Sequence, residues 1–271
     1  GTYTLTIGPS IMNSAGQPMD QNGNGTPGEA DDACTVRLIT DSLQIPAGDT
    51  TYANEALVIA GGTVTMDGSH TLGSLSLLAG GTLTHSAATA DTESSLSLTV
   101  TGPLWIDRDS AIDVTGRGYL GGRTVGNTTE GATPYDRPSG GSYGGLGHQG
   151  GTAIPNWTYG DYRAPANLGS GGGFSAGGGL LSVTAEIATI DGAIRADGAQ
   201  GRSHWATDGG GGSGGGIWLV ADILNGAGTV AANGGAGAVA ASGGGSVGAG
   251  GGGRVALYYG DATGFDLARV N

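Results

Sequence analysis

The chain contains no lysine: its ten basic residues are all arginine, set against 23 aspartates and glutamates for a formal charge of −13. Schiff-base chemistry, a P-loop lysine and lysine-based isopeptide crosslinks are thereby excluded. The acidic balance repels nucleic acid and anionic membrane surfaces over the screening length, and fits cation binding and solubility better. Cysteine is nearly absent as well. Cys34 stands alone, which rules out an intrachain disulfide or a cysteine zinc cluster and reads as a buried inert thiol. No apolar run reaches the roughly 20 residues that span a bilayer, so membrane insertion is not expected. Aromatic residues make up only 6% of the chain, with two phenylalanines, which argues against a large conventional core.

What replaces them is glycine, 60 residues in a chain of 271. Gly-Gly-Gly followed by a strand recurs at Leu180–Thr184, Ile217–Ala221 and Arg254–Tyr258, at a constant step of 37. Ala60-Gly61-Gly62-Thr63-Val64-Thr65 returns as Ala79-Gly80-Gly81-Thr82-Leu83-Thr84 after 19 residues, about half that period. Ile112-Asp113, Ile194-Arg195 and Val230-Ala231 align as strands that lead into a turn residue and a glycine. A fixed period marks a solenoid, in which each repeat buries its apolar side against its neighbours. The apolar stretches are short, alternating and rich in Val, Ile, Leu and Thr, and helical periodicity is absent. The expected fold is all-β: an N-terminal strand, loop and strand over 1–40, then a right-handed parallel β-helix over 41–271 with a glycine-rich excursion at about 118–179. The glycine runs 209–216 and 243–253 are expected to pack together as extended segments whose close approach requires missing side chains.

Asp20-Gln21-Asn22-Gly23-Asn24-Gly25-Thr26-Pro27-Gly28-Glu29-Ala30-Asp31-Asp32 reads as a calcium loop. Asp20, Asn22 and Asn24 at positions one, three and five direct three side-chain oxygens to one point, Gly25 permits the bend, and Thr26 offers a carbonyl. Asp31 stands at position twelve for the closing carboxylate, with Glu29 and Asp32 in reserve. Pro27 and the strand-like Cys34–Ile39 depart from an EF-hand. Tyr3–Ile7, Asp20–Asp32 and Cys34–Thr40 together resemble the last hairpin of immunoglobulin-like domains in large secreted bacterial proteins. Only the tail of such a domain is present, to cap the first β-helix coil or to supply strands to a neighbouring chain. Because Gly1 opens directly into Thr2–Ile7, the sequence reads as a processed or excised part of a longer exported chain.

The excursion carries six of the thirteen Tyr and Trp residues. Flat rings beside Arg and Asp suit pyranose faces and hydroxyls, which makes Tyr135, Tyr143, Trp157, Tyr159, Tyr162 and Arg163 candidates to face a carbohydrate. The alternative is that these rings pin the loop to the solenoid. Residues 96–260, with Tyr159-Gly160-Asp161, Leu168–Gly173, the Ala-Asp-Gly and Ala-Asn-Gly corners and Gly253–Tyr259, look like the glycine-rich β-helix repeats of very large bacterial cell-surface proteins. That resemblance implies an extracellular structural or adhesive role and carries over no catalytic residues. Self-assembly with identical chains or neighbouring domains would follow; the rival reading is a carbohydrate-binding or polysaccharide-cleaving β-helix that uses the aromatic loop 119–163.

Enzymatic readings are weaker. Asp107 and Asp109, two apart on a strand, are about 7 Å apart and would fit an inverting glycosidase, but they also read as an exposed turn neutralised by Arg108. The four histidines, 70, 85, 148 and 204, lack metal-ligand spacing, and His204 beside Trp205 and Asp208 reads as loop packing. No Gly-x-Ser-x-Gly elbow is present. Thr63/Thr65, Thr82/Thr84 and Thr99/Thr101 suggest a short Thr ladder of the kind that binds ice.

Overall fold

The computed structural model describes residues 1–134, 138–204, 207–238 and 247–271. Its strands are Thr2–Ile7 (β1), Cys34–Ile39 (β2), Leu43–Ile45 (β3), Ala56–Ala60 (β4), Thr63–Met66 (β5), Gly68–Leu72 (β6), Ser74–Leu78 (β7), Thr82–Thr84 (β8) and Leu96–Ile106 (β9). Ala111–Asp113 (β10), Leu180–Ile190 (β11), Ala193–Arg195 (β12), Ser203–His204 (β13), Thr207–Asp208 (β14), Gly216–Gly226 (β15), Thr229–Ala231 (β16) and Arg254–Phe265 (β17) follow. Helical structure among the described residues is confined to three short turns, Ala30–Asp32, Val125–Asn127 and Leu267–Arg269, and none is long and apolar enough to cross a membrane. The protein is all-β.

From β2 onward the strands fall alternately into two sheets, except that β6 and β7 follow one another into the first sheet and β13 and β14 form a separate antiparallel pair. One runs β1-β2-β4-β7-β9-β11-β15-β17, with β6 also paired to β9, and the other runs β16-β12-β10-β8-β5-β3. Every pair in the second sheet is parallel. The first is parallel throughout except at β1, which pairs antiparallel to β2 in register Thr2↔Ile39 to Ile7↔Cys34. The N-terminal strand therefore pairs within its own chain, and β2 joins it to the parallel ladder through β4. Arg37 fastens this junction: its Nε and Nη2 donate to Glu55 at 2.6 and 3.1 Å and its Nη1 to Thr4 Oγ1 at 2.7 Å.

The burial of β4 and β7 alternates residue by residue, as period-two side chains dictate. The inward set, including Leu57, Ile59, Leu75, Leu77, Leu98, Leu104, Ile106, Leu181 and Ile217 from the first sheet, meets Val64, Met66, Leu83, Ile112, Ile194 and Val230 from the second in one continuous core. Each such side chain contributes about 1.5–3 kcal/mol by leaving water.

Ile112, Ile194 and Val230 stack as the sequence alignment expects, and Thr63↔Thr82 keeps the 19-residue step. The 37-residue alignment is one residue out at its middle member. Leu181, not Leu180, pairs with Ile217, which pairs with Val255, so the steps are 36 and 38. A slip of one would turn the inward side chains to the outside. The Thr ladder also divides: Thr63/Thr82 and Thr65/Thr84 are neighbours in the second sheet, while Thr99 lies in the first, between Thr71 and Thr184.

The glycine runs form a second, backbone-packed layer. Within 209–216, Gly212 and Gly215 donate to Ala199 and Ala196 at 2.9 and 2.6 Å, Gly211 and Gly214 to Gly248 and Gly251 at 3.0 Å each, and Ser213 to Ser170 at 3.0 Å. Partners on one neighbour recur every third residue, the period of a polyproline-II-type helix with three residues per turn and no internal hydrogen bonds. A Cβ on Gly212 would collide with the Ala176 carbonyl oxygen, and one on Gly210 with that of Ser139. The run 243–253 is described only from 247, and that part packs against 209–216 through Gly248 and Gly251.

Candidate functional site

The excursion between β10 and β11 is built around polar and aromatic anchors. Asn156, 3% exposed, donates through Nδ2 to Ser142 O at 2.9 Å, Trp157 O at 2.9 Å and Ser170 Oγ at 3.1 Å, and its Oδ1 accepts from the Ser142 amide at 2.8 Å and Thr133 Oγ1 at 3.2 Å. One amide thus joins segments near 133, 142 and 170. Tyr143 is fully buried, with its ring centroid 4.8 Å from that of Tyr159 and the Arg254 guanidinium 5.4 Å from its centre. Arg254 also donates Nε and Nη2 to Tyr159 O at 3.0 and 2.7 Å, and the Tyr159 hydroxyl donates to Leu168 O at 2.7 Å. Burial raises the Tyr159 phenol above its ordinary value. Burial, reinforced by the nearby Glu93 carboxylate, pushes Tyr119 up to about 12.

The carbohydrate candidates consequently separate. Tyr143 and Tyr159 turn inward and pin the excursion against β17, whose Arg254 lies over the Tyr143 ring and donates to the Tyr159 carbonyl; a sugar cannot reach the fully buried Tyr143 ring. Trp157 is 83% exposed and lines an apolar cleft with Leu146, His148, Ile154 and Pro155. Tyr162 and Arg163 are exposed and pair with one another, the guanidinium 5.4 Å from the ring centre. Tyr135 lies outside the described residues, as does Trp205 of the His204 cluster.

In the acidic loop, successive side chains fold back on the backbone. Asp20 Oδ2 accepts the Gly25 N–H at 2.9 Å, Asn22 Oδ1 that of Asn24 at 2.9 Å and Asn24 Oδ1 that of Thr26 at 2.7 Å. Gly25 takes φ 86°, the left-handed bend expected at position six. Asp20 Oδ1 is buried without a partner. The carboxylate of Asp32, the expected reserve ligand, is buried and accepts the amides of Gln21 at 2.8 Å, Asn22 at 3.3 Å and Glu29 at 2.9 Å. Burial opposes its ionisation, but these amide donors outweigh burial and hold the carboxyl below its usual range. Glu29 Oε2 accepts from Asn24 Nδ2 at 2.8 Å, and Asp31 is exposed. Among the described residues no three His, Cys, Asp or Glu side chains converge as a ready-made metal cluster.

Asp107 is likewise occupied. Its Oδ2 accepts the Ala79 amide at 2.7 Å and its Oδ1 that of Asp109 at 3.2 Å, a turn geometry that holds Ala79 at φ 53°. Burial tends to raise its pKa, and hydrogen bonds including these lower it overall. A carboxylate held ionised in this way is a poor general acid. Sequence reasoning missed Asn156, whose partners are scattered over nearly 40 positions, and His85, described below. No family model, curated protein or solved structure matches this chain.

Proposed function

We propose that this chain is a rigid extracellular module, a spacer, stalk or filament subunit of a bacterial surface or matrix protein, built as a right-handed parallel β-helix and stabilised by calcium. The observation that carries the reading is the interlock of two kinds of layer: strands that, apart from β6/β7 and the β13–β14 pair, alternate between two sheets parallel from β2 onward, and glycine segments hydrogen-bonded to one another at their backs. Successive strands placed alternately in the two sheets are what a β-helix requires, each pair being one turn. Such a body resists bending because its apolar core runs the length of the ladder and the backbone layer reinforces the part formed by β11, β15 and β17. The outer strands β1 and β17 each pair on one side only, which leaves edges for end-to-end association with identical chains or neighbouring domains.

The loop 20–32 fits Ca²⁺ by its donors: Asp20 with its unpartnered buried oxygen, Asn22, Asn24, the Thr26 carbonyl, Glu29 and Asp31 offer the hard oxygens that this ion takes. Bound calcium would neutralise charge and fix the loop that joins β1 to β2. Electron microscopy and thermal melting of the purified chain, with millimolar calcium and after chelation, test the proposal. Stiff rods or filaments with a melting temperature raised by calcium are expected. Compact or flexible particles would overturn the rod, and calcium-independent melting would overturn the metal.

A further inference from the structure

We propose that the corner cleft beside Trp105 binds a neutral oligosaccharide. Strands β9 and β11 pair through Ile106↔Ile190, so the next residues, Asp107 and Asp191, lie on adjacent rungs about 4.8 Å apart. The cleft between them encloses 570 Å³ and is lined by Trp105, Asp107, Arg108, Asp191, Ala227 and Arg269, a size suited to a small ligand. Strand alternation accounts for the platform. Leu104 and Ile106 point inward at 0% exposure, and Trp105 between them turns its indole outward at 45%.

The floor is already fixed. Ala79 and Asp109 amides hold Asp107, the Ala227 amide donates to Asp191 Oδ1 at 3.1 Å, and Arg269 Nη1 donates to Ala227 O at 2.8 Å. A ligand therefore meets two carboxylates and the Arg269 guanidinium, whose ordering cost is largely met. Arg108, by contrast, makes no hydrogen bond or ion pair among the described residues and is exposed. It lines the same cleft as the indole.

Charge selects the ligand class. The cleft sets two carboxylates against two guanidinium groups, within a chain of net charge −13. An anionic sugar would gain from the arginines and lose to Asp107, Asp191 and the field of the whole molecule. A neutral pyranose loses nothing: its C–H face covers the indole while its hydroxyls donate to the carboxylates and accept from the guanidiniums. The Trp157 cleft has no such pairs, being lined chiefly by apolar side chains.

The inference is independent of the rod, which stands or falls by its shape whether or not it holds sugar. Its test is titration of the full chain, by calorimetry and tryptophan fluorescence, with β-1,4-glucan, α-1,4-glucan and mannan hexasaccharides and with a galacturonate hexamer. At least one neutral hexasaccharide is expected to bind, with affinity reduced at least about tenfold in W105A and severalfold in R108A, and unchanged in W157A. Arg108 has no hydrogen bond or ion pair to lose among the described residues, so R108A keeps the test open if W105A misfolds. Absence of binding by every neutral probe at millimolar concentration, preference for galacturonate, or loss in W157A with W105A and R108A unaffected would each overturn the proposal.

Discussion

His85 Nε2 accepts the backbone N–H of Leu180 at 3.2 Å, 95 residues away in sequence. The other ring nitrogen, Nδ1, must then carry the proton and donate to Ser86 O at 2.7 Å. The imidazole is fully buried at the point where the chain returns from the excursion to start β11. Burial lowers its pKa and Arg117 adds to the effect, against the opposing pull of Ser86 O and Asp67.

A pH dependence follows. The unfolded chain takes up the His85 proton near its ordinary value of about 6.5, while the folded chain resists it to lower pH. Between those two values the unfolded state binds more protons, so stability rises with pH and this contribution is lost as pH falls below about 6.5. Thermal melting of the wild type across about pH 5–7 should show that slope, and His85→Gln should flatten it. The depressed carboxyl groups of Asp32, Glu55 and Asp107 act in the same direction only at more acid pH.

Asn156→Ala should be among the costliest single changes in the excursion. It removes several hydrogen bonds at once and leaves the Ser142 amide and carbonyl buried without partners, a loss of about 2–4 kcal/mol. Chemical denaturation should report this, and limited proteolysis should show cleavage in 119–167 before the rest of the chain.

Two glycines on adjacent segments should respond oppositely to alanine. Gly212→Ala drives a methyl group into the Ala176 carbonyl, and the layer has no room to yield because its neighbours are backbone. Gly252→Ala meets nothing within 4 Å and has no left-handed backbone to strain. Soluble yield and melting temperature should collapse for the first and remain near wild type for the second.

The acidic loop allows its two kinds of carboxylate to be told apart. Asp32→Ala removes the acceptor for three backbone amides and should lower the melting temperature with or without calcium. Asp20→Ala should lower it more in calcium than in chelator, because its second oxygen is the one with no partner inside the protein. Equal effects of Asp20→Ala in both conditions would remove the case for the ion.

Much of this architecture is legible in the sequence because it repeats. Ile112, Ile194 and Val230 are recognisable as one stack since each is followed by a turn residue and glycine, and that punctuation survives in all three. The strands after the glycine runs were harder to place: glycine triplets look alike in several registers, and irregularities near Ala185–Ile187 and Ile223–Asn225 shift the pairing. Thr99 and Thr82 share a local pattern yet lie in different sheets, because local pattern reports strand and face but says nothing of which strand is the neighbour. The aromatic candidates failed to act as a group for a related reason. Tyr143 is covered by Arg254, supplied from more than one hundred positions away, and nothing in its local sequence separates it from the exposed Trp157.

The glycine layer gives the molecule an unusual thermal character. Unfolding a hydrocarbon core raises heat capacity by about 0.45 cal/K/mol per Å² exposed, whereas exposing peptide groups lowers it by about 0.26. A body in which segments such as 209–216 are packed by peptide against peptide thus has a smaller heat-capacity increment than its 271 residues would otherwise suggest. Its stability curve is correspondingly flat, changing little between cold and warm surroundings.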